Sequence, residues 1–226
     1  MSYLIVVAHP DDEVLGAGGL IFKLSQKGIE VNVCVLSGQA DARANKPKGN
    51  KLEADTDSAN SFLGVNMLIK GEFPNICFNT VPHLDMVQFI EKAIEVTKAT
   101  TVVTHHPNDL NNDHYHTSIS CQAAIRLFQR RSDILPVLEL MFMEVPSATD
   151  WALNSGNNHF KPNLYIEITK ELVEKKLEAL SMYEGVMRDY PHPRSCETIE
   201  ALAAYRGSQA GIMYAEAYES VFRIMK

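Results

Sequence analysis

The 226-residue sequence has only four cysteines, a single tryptophan and no long hydrophobic run. The cysteines are widely spaced and form no Cys-x-x-Cys pair, which argues against a thiolate zinc cluster and against a disulfide framework. No apolar run approaches the roughly 20 residues of a membrane span, and the first apolar run, at residues 3–8, is too short for a secretory signal. We therefore expect a cytoplasmic protein whose thiols are free.

An excess of basic residues is also missing. The chain has 28 acidic and 21 basic side chains, which give a formal net charge of −7. This balance argues against nucleic acid or an anionic membrane as a main partner. The length favours a single domain over residues 1–226, large enough to bury a full core. These features leave homo-oligomer formation open.

Short apolar runs alternate with segments of helical periodicity along the chain. Runs typical of strands cover residues 3–8, 31–36, 67–70, 101–104, 136–142 and 164–168. Segments typical of helices cover residues 14–27, 51–63, 84–98, 113–131, 170–184 and 198–205, and residues 217–225 fit either structure. The alternation predicts an α/β fold with a mainly parallel sheet and helices on both faces. In a doubly wound sheet with the strand order 3-2-1-4-5, which fits this alternation, the first and fourth strands are neighbours.

The most informative segment follows the first apolar run, where the sequence reads His9-Pro10-Asp11-Asp12-Glu13. Open α/β sheets place their ligand sites at the carboxyl ends of strands. Imidazole and carboxylate are metal ligands, and a second carboxylate beside them can serve as a base. A simple helix start also favours acids in its first turn, but it does not account for a histidine with three acids. The segment therefore predicts a metal site with a hydrolytic base.

A second polar segment follows the short apolar run at residues 101–104. It spans residues 105–118 and is rich in histidine, aspartate and asparagine. Because the first and fourth strands are expected to be neighbours, both segments should meet at one crevice. This convergence supports a metal site more strongly than either segment alone.

The two segments resemble the signatures of the PIG-L/LmbE-like N-acetylglucosaminyl deacetylases. The first signature is Ala8 to Glu13 followed by a glycine-rich turn, and the second is Pro107 to His114. Further matching pieces lie at residues 38–43, 144–147, 191–195 and 205–209. The resemblance implies a Rossmann-like, zinc-dependent amide hydrolase that removes acetyl from an N-acetylated amino sugar. Its C-terminal pieces suggest a branch acting on small glycosides or sugar nucleotides.

The resemblance assigns His9, Asp12 and His114 as ligands of zinc or of another divalent metal. Two imidazoles and a carboxylate leave a position open for water, as catalytic zinc sites do. Asp11 would be the general base that takes a proton from this water. The partner that the resemblance implies is a small amino-sugar substrate.

The chain departs from the commonest family pattern at Asn111, where many members have a histidine. Asparagine can donate a hydrogen bond to an oxyanion, but it cannot transfer a proton. The proton for the leaving amine would then come from Asp11 or from His192, which titrates near neutrality. His105 and His106 lie nearer the strand end, where structural roles are the better expectation.

Several residues are candidates for orienting ligands or binding substrate, each with a plainer alternative. Asp109 and Asp113 would hold the ligand histidines or serve as turn and cap residues. Glu13 would support the metal site or cap a helix. The remaining candidates are polar residues of loops: Arg43, Asn75, Arg194 and Arg206.

Other classes of protein are less consistent with these residues. The turn at residues 16–19 lacks the G-x-G-x-x-G spacing, and the acids before it would repel a pyrophosphate, so NAD binding is rejected. Two histidines and a carboxylate also describe iron oxygenases, which do not need Asp11. A metal-dependent hydrolase of another amide or ester stays open. A non-catalytic sugar-binding module would be favoured only without Asp11.

Overall fold

The computed structural model describes residues 1–39, 49–153 and 158–225. Within these residues one mixed sheet has the order β3-β2-β1-β4-β5-β7-β6. Its strands are β1 (Ser2–Val7), β2 (Glu30–Val35), β3 (Met67–Lys70), β4 (Thr101–His105), β5 (Glu139–Met143), β6 (Leu164–Ile168) and β7 (Tyr214–Arg223). Strands β1 to β5 are parallel, which confirms the predicted order, and β7 runs antiparallel between β5 and β6.

The helices of the described residues lie mostly where periodicity predicts them. They are α1 (Asp12–Gln26), α2 (Lys51–Leu63), α3 (His83–Thr97), α4 (Asn112–Ala124), α5 (Leu127–Arg130), α6 (Lys170–Ser181) and α7 (Cys196–Ala210), with a 3₁₀ turn at Phe78–Thr80. The single helix predicted over residues 113–131 is wrong, because the chain turns at residues 125–126 and forms α4 and α5. Helix α7 is longer than predicted, since Ser195 caps its start and Gly211 ends it at φ 73°.

Two apolar clusters cover the two faces of the sheet. Along β1, Leu4 and Val6 pack on the face covered by α3 and α4, whereas Ile5 and Val7 pack on the face covered by α1, α2 and α6. All four side chains are fully buried, which is typical of a parallel strand with helices on both sides. The predicted fold class is confirmed.

Helix α1 contains a break that explains the glycine-rich turn. Ala17 has non-helical angles (φ −143°, ψ 15°), and the freed backbone N–H groups of Gly19 and Leu20 donate to Glu216 at 2.9 and 2.8 Å. A Cβ at Gly16 would lie 2.4 Å from the sulfur of Met143. The glycines therefore permit close packing of α1 on the sheet. No helix in the described part of the chain is long and apolar enough to cross a membrane.

Candidate active site

A cavity of about 210 Å³ lies beyond the carboxyl ends of β1 and β4, where the two polar segments were expected to meet. The strands pair directly, with Val6 opposite Thr104. The cavity is lined by residues of both segments and of three other loops: His9, Asp11, Asp12, Gln39, Asn75, Ile76, Asn111, His114 and Arg194. The topology thus brings residues about a hundred positions apart to one crevice.

His9, Asp12 and His114 form a compact group of potential metal ligands. Asp12 Oδ2 lies 3.3 Å from His9 Nδ1 and 3.1 Å from His114 Nε2. The three donor atoms all lie within 4.8 Å of one another. Asp12 also accepts the backbone N–H of His9 at 3.0 Å, which fixes the carboxylate between the two rings.

A carboxylate faces the outer nitrogen of each of these histidines. Asp113 Oδ2 lies 2.9 Å from His9 Nε2, and Asp109 Oδ2 lies 3.0 Å from His114 Nδ1. Asp113 also accepts the backbone N–H groups of Ile76 and Phe78. In metal sites such carboxylates fix the tautomer and orientation of the ligand imidazole.

The protonation states of His114 and Asp12 suit a site in which a metal cation replaces a proton. Burial disfavours the imidazolium of His114, but Asp12 and Asp109 raise its pKa to about 10. Burial likewise disfavours the carboxylate of Asp12, yet His114 holds its pKa well below the usual range. Within the described residues, neither buried ring nitrogen of His114 has a hydrogen-bond partner of good geometry, although carboxylate oxygens lie 3.0 and 3.1 Å away. Two imidazole nitrogens and one carboxylate oxygen suit zinc or a similar divalent metal.

Asp11 and Asp12 point in different directions because the backbone turns sharply between them. Asp11 has φ 97°, a left-handed conformation that non-glycine residues rarely adopt, and α1 begins at the next residue. Its carboxylate Oδ2 lies 3.4 Å from Nη1 of Arg194, whereas that of Asp12 lies between the imidazoles. Asp11 is 2 % exposed and lines the cavity beside the ligand group.

The buried side chain of Glu13 stabilises this turn. Its carboxylate accepts the backbone N–H of Asp11 at 3.1 Å and the side-chain amide of Asn60 at 3.0 Å, and the hydroxyl of Tyr183 donates to it. Burial raises the pKa of Glu13 to about 7. Asn60 lies in α2 and Tyr183 follows α6, and neither was predicted from the sequence. No short-range signal marks them, because their partner is 47 and 170 residues away.

Arg194 reaches the site from the C-terminal third of the chain. Its Nε donates to Ser147 Oγ at 2.6 Å, and Ser147 itself has a left-handed backbone at φ 71°. Ser147 belongs to a stretch that resembles the family, but the resemblance predicts no role for it. His192 accepts the backbone N–H of Arg194 at 3.0 Å and packs against Trp151, and it is not among the residues lining the cavity.

The two asparagines predicted near the pocket both line the cavity. Asn111 caps α4, since its side-chain oxygen accepts the N–H of Asp113 at 2.9 Å. Its amide nitrogen is therefore the group that can donate to a substrate. Asn75 is half-buried, and its backbone N–H donates to Gln39 Oε1 at 3.4 Å.

The remaining candidates have structural contacts. His105 accepts the N–H of Ala8 at 2.9 Å, and its burial lowers its pKa to about 3. His106 accepts the N–H of Asn108 at 3.1 Å. Both contacts fit the expected structural roles, although His105 also lies with Asp109 and His114 in a second group of potential metal ligands. Arg206 forms a two-point ion pair with Glu144 at 2.7 and 2.6 Å. Arg43 lies outside the described residues.

The chain belongs to the PIG-L family. The family model described as GlcNAc-PI de-N-acetylase matches residues 4–125, a stretch that contains both polar segments. The family predicted from the motifs is thereby confirmed.

Solved structures share the fold over nearly the whole chain. The conserved protein TT1542 from Thermus thermophilus superposes with a TM-score of 0.80 at 22% identity, covering 100% of this chain and 97% of its own. N,N'-diacetylchitobiose deacetylase from Pyrococcus horikoshii superposes with a TM-score of 0.78 at 18% identity, covering 97% of this chain and 83% of its own. GalB, the 4-carboxy-2-hydroxymuconate hydratase from Pseudomonas putida, superposes with a TM-score of 0.79 at 20% identity, covering 100% of this chain and 98% of its own. At these identities the similarity establishes the fold alone.

Proposed function

We propose that the protein is a metal-dependent N-deacetylase that hydrolyses the acetamide of a small N-acetylated amino sugar. The observation that carries the proposal is the carboxylate of Asp11 beside the His9, Asp12 and His114 group in one cavity. Membership of the PIG-L family supports the amide and the amino sugar as substrate class. We propose zinc as the metal, held by these three side chains.

The residues around the cavity divide the chemistry between them. A bound divalent metal lowers the pKa of water and polarises a carbonyl oxygen. Asp11 takes the proton from the attacking water, since its carboxylate lines the cavity beside the ligand group. Arg194 Nη1, 3.4 Å from Asp11 Oδ2, orients this carboxylate. The amide nitrogen of Asn111 donates a hydrogen bond to the oxyanion that develops from the acetyl group.

Cleavage of the acetamide expels an amine that must be protonated. Two groups were predicted as the donor, Asp11 and His192. Burial, followed by the charges of Arg194 and Arg188, lowers the pKa of His192, which favours its neutral form. We therefore propose that Asp11 returns to the amine the proton that it took from water. In this scheme one carboxylate serves as base and then as acid.

The test measures metal content and acetate release together. We expect Asp11→Asn to keep one metal per chain and to lose about 10²–10⁴-fold in kcat. His114→Ala should lose the metal and the activity, and His192→Gln should keep the alkaline limb of the pH–rate profile. Asp85→Asn, an exposed aspartate at the start of α3, is the matched control for the change of charge.

Three results would contradict the proposal. These are near-parental turnover by metal-loaded Asp11→Asn, full metal occupancy in His114→Ala, and no acetate release from any N-acetylated amino sugar. Activity of the zinc form without oxygen separates the enzyme from an iron oxygenase. A rate loss in His192→Gln confined to the alkaline limb would assign the proton to His192 instead of Asp11.

A further inference from the structure

His105, the last residue of β4, lies beside the ligand group and has no part in the proposed chemistry. It is fully buried and is not among the described residues that line the catalytic cavity. Its ring stacks on that of His114, with centroids 3.8 Å apart and planes at 17°. Its Nε2 accepts the backbone N–H of Ala8 at 2.9 Å. His105 therefore contacts one ligand, His114, and the residue that precedes another, His9.

The contact with Ala8 extends the connection between β1 and β4. The pairing of these strands ends at Val6 opposite Thr104, so the N–H of Ala8 lies beyond the strand pairing. The imidazole of His105 provides the acceptor in place of a backbone carbonyl. Because Ala8 is fully buried, an N–H group without an acceptor would be costly there. This contact should therefore stabilise the end of β1 whether or not a metal is bound.

The stack on His114 has a different consequence, because it fixes the plane of a ligand ring. Carboxylate oxygens of Asp109 and Asp12 lie 3.0 and 3.1 Å from the two ring nitrogens of His114. Neither contact meets hydrogen-bond geometry, so these carboxylates alone leave the tilt of the ring poorly determined. The nearly parallel ring of His105 blocks this tilt from one side. The stack thus keeps Nε2 of His114 directed toward Asp12.

His105 also belongs to a second group of donor atoms, with Asp109 and His114, that lie within 4.8 Å of one another. Zinc lies about 2.0–2.1 Å from an imidazole nitrogen, in the plane of the ring. Two stacked, nearly parallel rings cannot both direct a nitrogen to one such point. Asp109 is engaged as well, since the hydroxyl of Thr149 and the N–H of Asn111 each donate to it at 2.9 Å. His105 is therefore better placed to support His114 than to bind a metal with it.

We propose that His105 is a positioning residue that holds the ring plane of His114 for metal binding. This inference rests on the proposed function, from which it takes His114 as a metal ligand. The two contacts of His105 then have separable effects. The ring determines the affinity for the metal through His114, whereas Nε2 determines the stability of the metal-free protein through Ala8. Residues that orient metal ligands typically change the affinity about 10–100-fold when they are substituted.

Two substitutions separate these effects. His105→Gln keeps a side-chain acceptor for Ala8 and removes the ring, whereas His105→Phe keeps a ring and removes the acceptor. In titrations of zinc against a competing chelator, we expect His105→Gln to bind about tenfold more weakly than the parent protein. His105→Phe should stay closer to the parent in affinity. Thermal unfolding of the metal-free proteins should give the opposite order, with the lower Tm in His105→Phe.

A spectroscopic measurement follows the orientation of the ligands directly. The visible absorption of the cobalt(II) protein depends on the geometry of its ligands, so the parent and His105→Phe should share a band shape from which His105→Gln departs. His83→Gln, an exposed histidine at the start of α3, is the matched control and should equal the parent in affinity, Tm and spectrum. If His105→Gln does not fold, His105→Leu replaces it, because it differs from His105→Phe only by lacking the ring.

The two proposals fail separately in these experiments. Equal zinc affinities of the parent, His105→Gln and His105→Phe would overturn the positioning role and leave the proposed function intact. A second zinc in the parent that both variants lose would make His105 a ligand and would also overturn it. The expected order of affinities without acetate release from any substrate would reject the deacetylase and retain the positioning role. A parent protein that binds no zinc would reject both.

Discussion

Three consecutive acids have three different surroundings, and the difference follows from one backbone angle. The left-handed conformation of Asp11 turns its carboxylate toward Arg194, whereas Asp12 lies between two imidazoles. Glu13, one residue further into α1, points back beneath the turn and accepts the N–H of Asp11. A strained conformation of this kind persists only where neighbouring contacts determine it. The network of Glu13 provides these contacts.

Tyr183 tests this network at the scale of one hydroxyl. We expect Tyr183→Phe to lower kcat about tenfold, within the range found for groups that orient ligands, because Glu13 loses a donor and Asp11 is held less firmly. KM should change little, since Tyr183 does not line the cavity. Tyr214→Phe, at the start of β7, is the matched control. An unchanged kcat in a folded Tyr183→Phe protein would show that the turn does not need this hydroxyl.

The site residues that could be predicted from the sequence are those that lie close together in it. His9, Asp11 and Asp12 follow a strand directly, and His114 belongs to a second polar segment after another strand. The supporting residues could not be predicted in this way. Tyr183, Asn60 and Ser147 reach the site only through tertiary packing, and each is an ordinary residue in its own segment.

At the scale of elements, α1 is stabilised by a residue from the other end of the chain. Glu216 of β7 accepts two N–H groups at the break in α1 and the ammonium of Lys176 at 2.7 Å. Both charged side chains are buried. The predicted strands were recognisable as apolar runs, but this connection was not. It depends on β7 lying antiparallel between β5 and β6, and residues 217–225 fitted a strand or a helix equally well.

The ion pair gives a stability prediction. We expect Glu216→Ala to lower the free energy of unfolding by about 3–5 kcal/mol, because Lys176 stays buried without its partner. The double variant Glu216→Gln with Lys176→Met should lose less than Glu216→Ala, since it leaves no buried charge unpaired and keeps an acceptor for α1. Urea unfolding of the metal-free proteins measures both. A double variant less stable than Glu216→Ala would contradict this account.

At the scale of the whole molecule, the candidate site combines residues from the N-terminal and the C-terminal parts of the chain. The ligand group lies within the stretch matched by the family model, whereas Arg194 and Tyr183 come from the part beyond it. Anything that binds the folded site and not the unfolded chain therefore stabilises the complete sheet. The metal should act in this way, because the unfolded chain cannot hold His9, Asp12 and His114 together.

The last prediction concerns the pH dependence of that stabilisation. Without metal, the imidazolium of His114 is favoured by Asp12 and Asp109, and its pKa rises from 6.5 to about 10. A raised pKa contributes stability that is complete below pH 6.5 and is lost as the pH rises through about 10. A metal at His114 must displace this proton, so metal affinity increases over the same range.

Both effects act in the same direction on the difference between the metal-loaded and metal-free proteins. We expect the increase in Tm caused by a fixed excess of zinc to be larger at pH 8.5 than at pH 6.5. Saturation at 1,000 times Kd corresponds to about 4 kcal/mol. Differential scanning calorimetry with zinc and with a chelator measures the increase at each pH. His114→Ala, run in parallel, should show little increase at either pH. A zinc effect that is independent of pH, or equal in His114→Ala, would place the metal elsewhere.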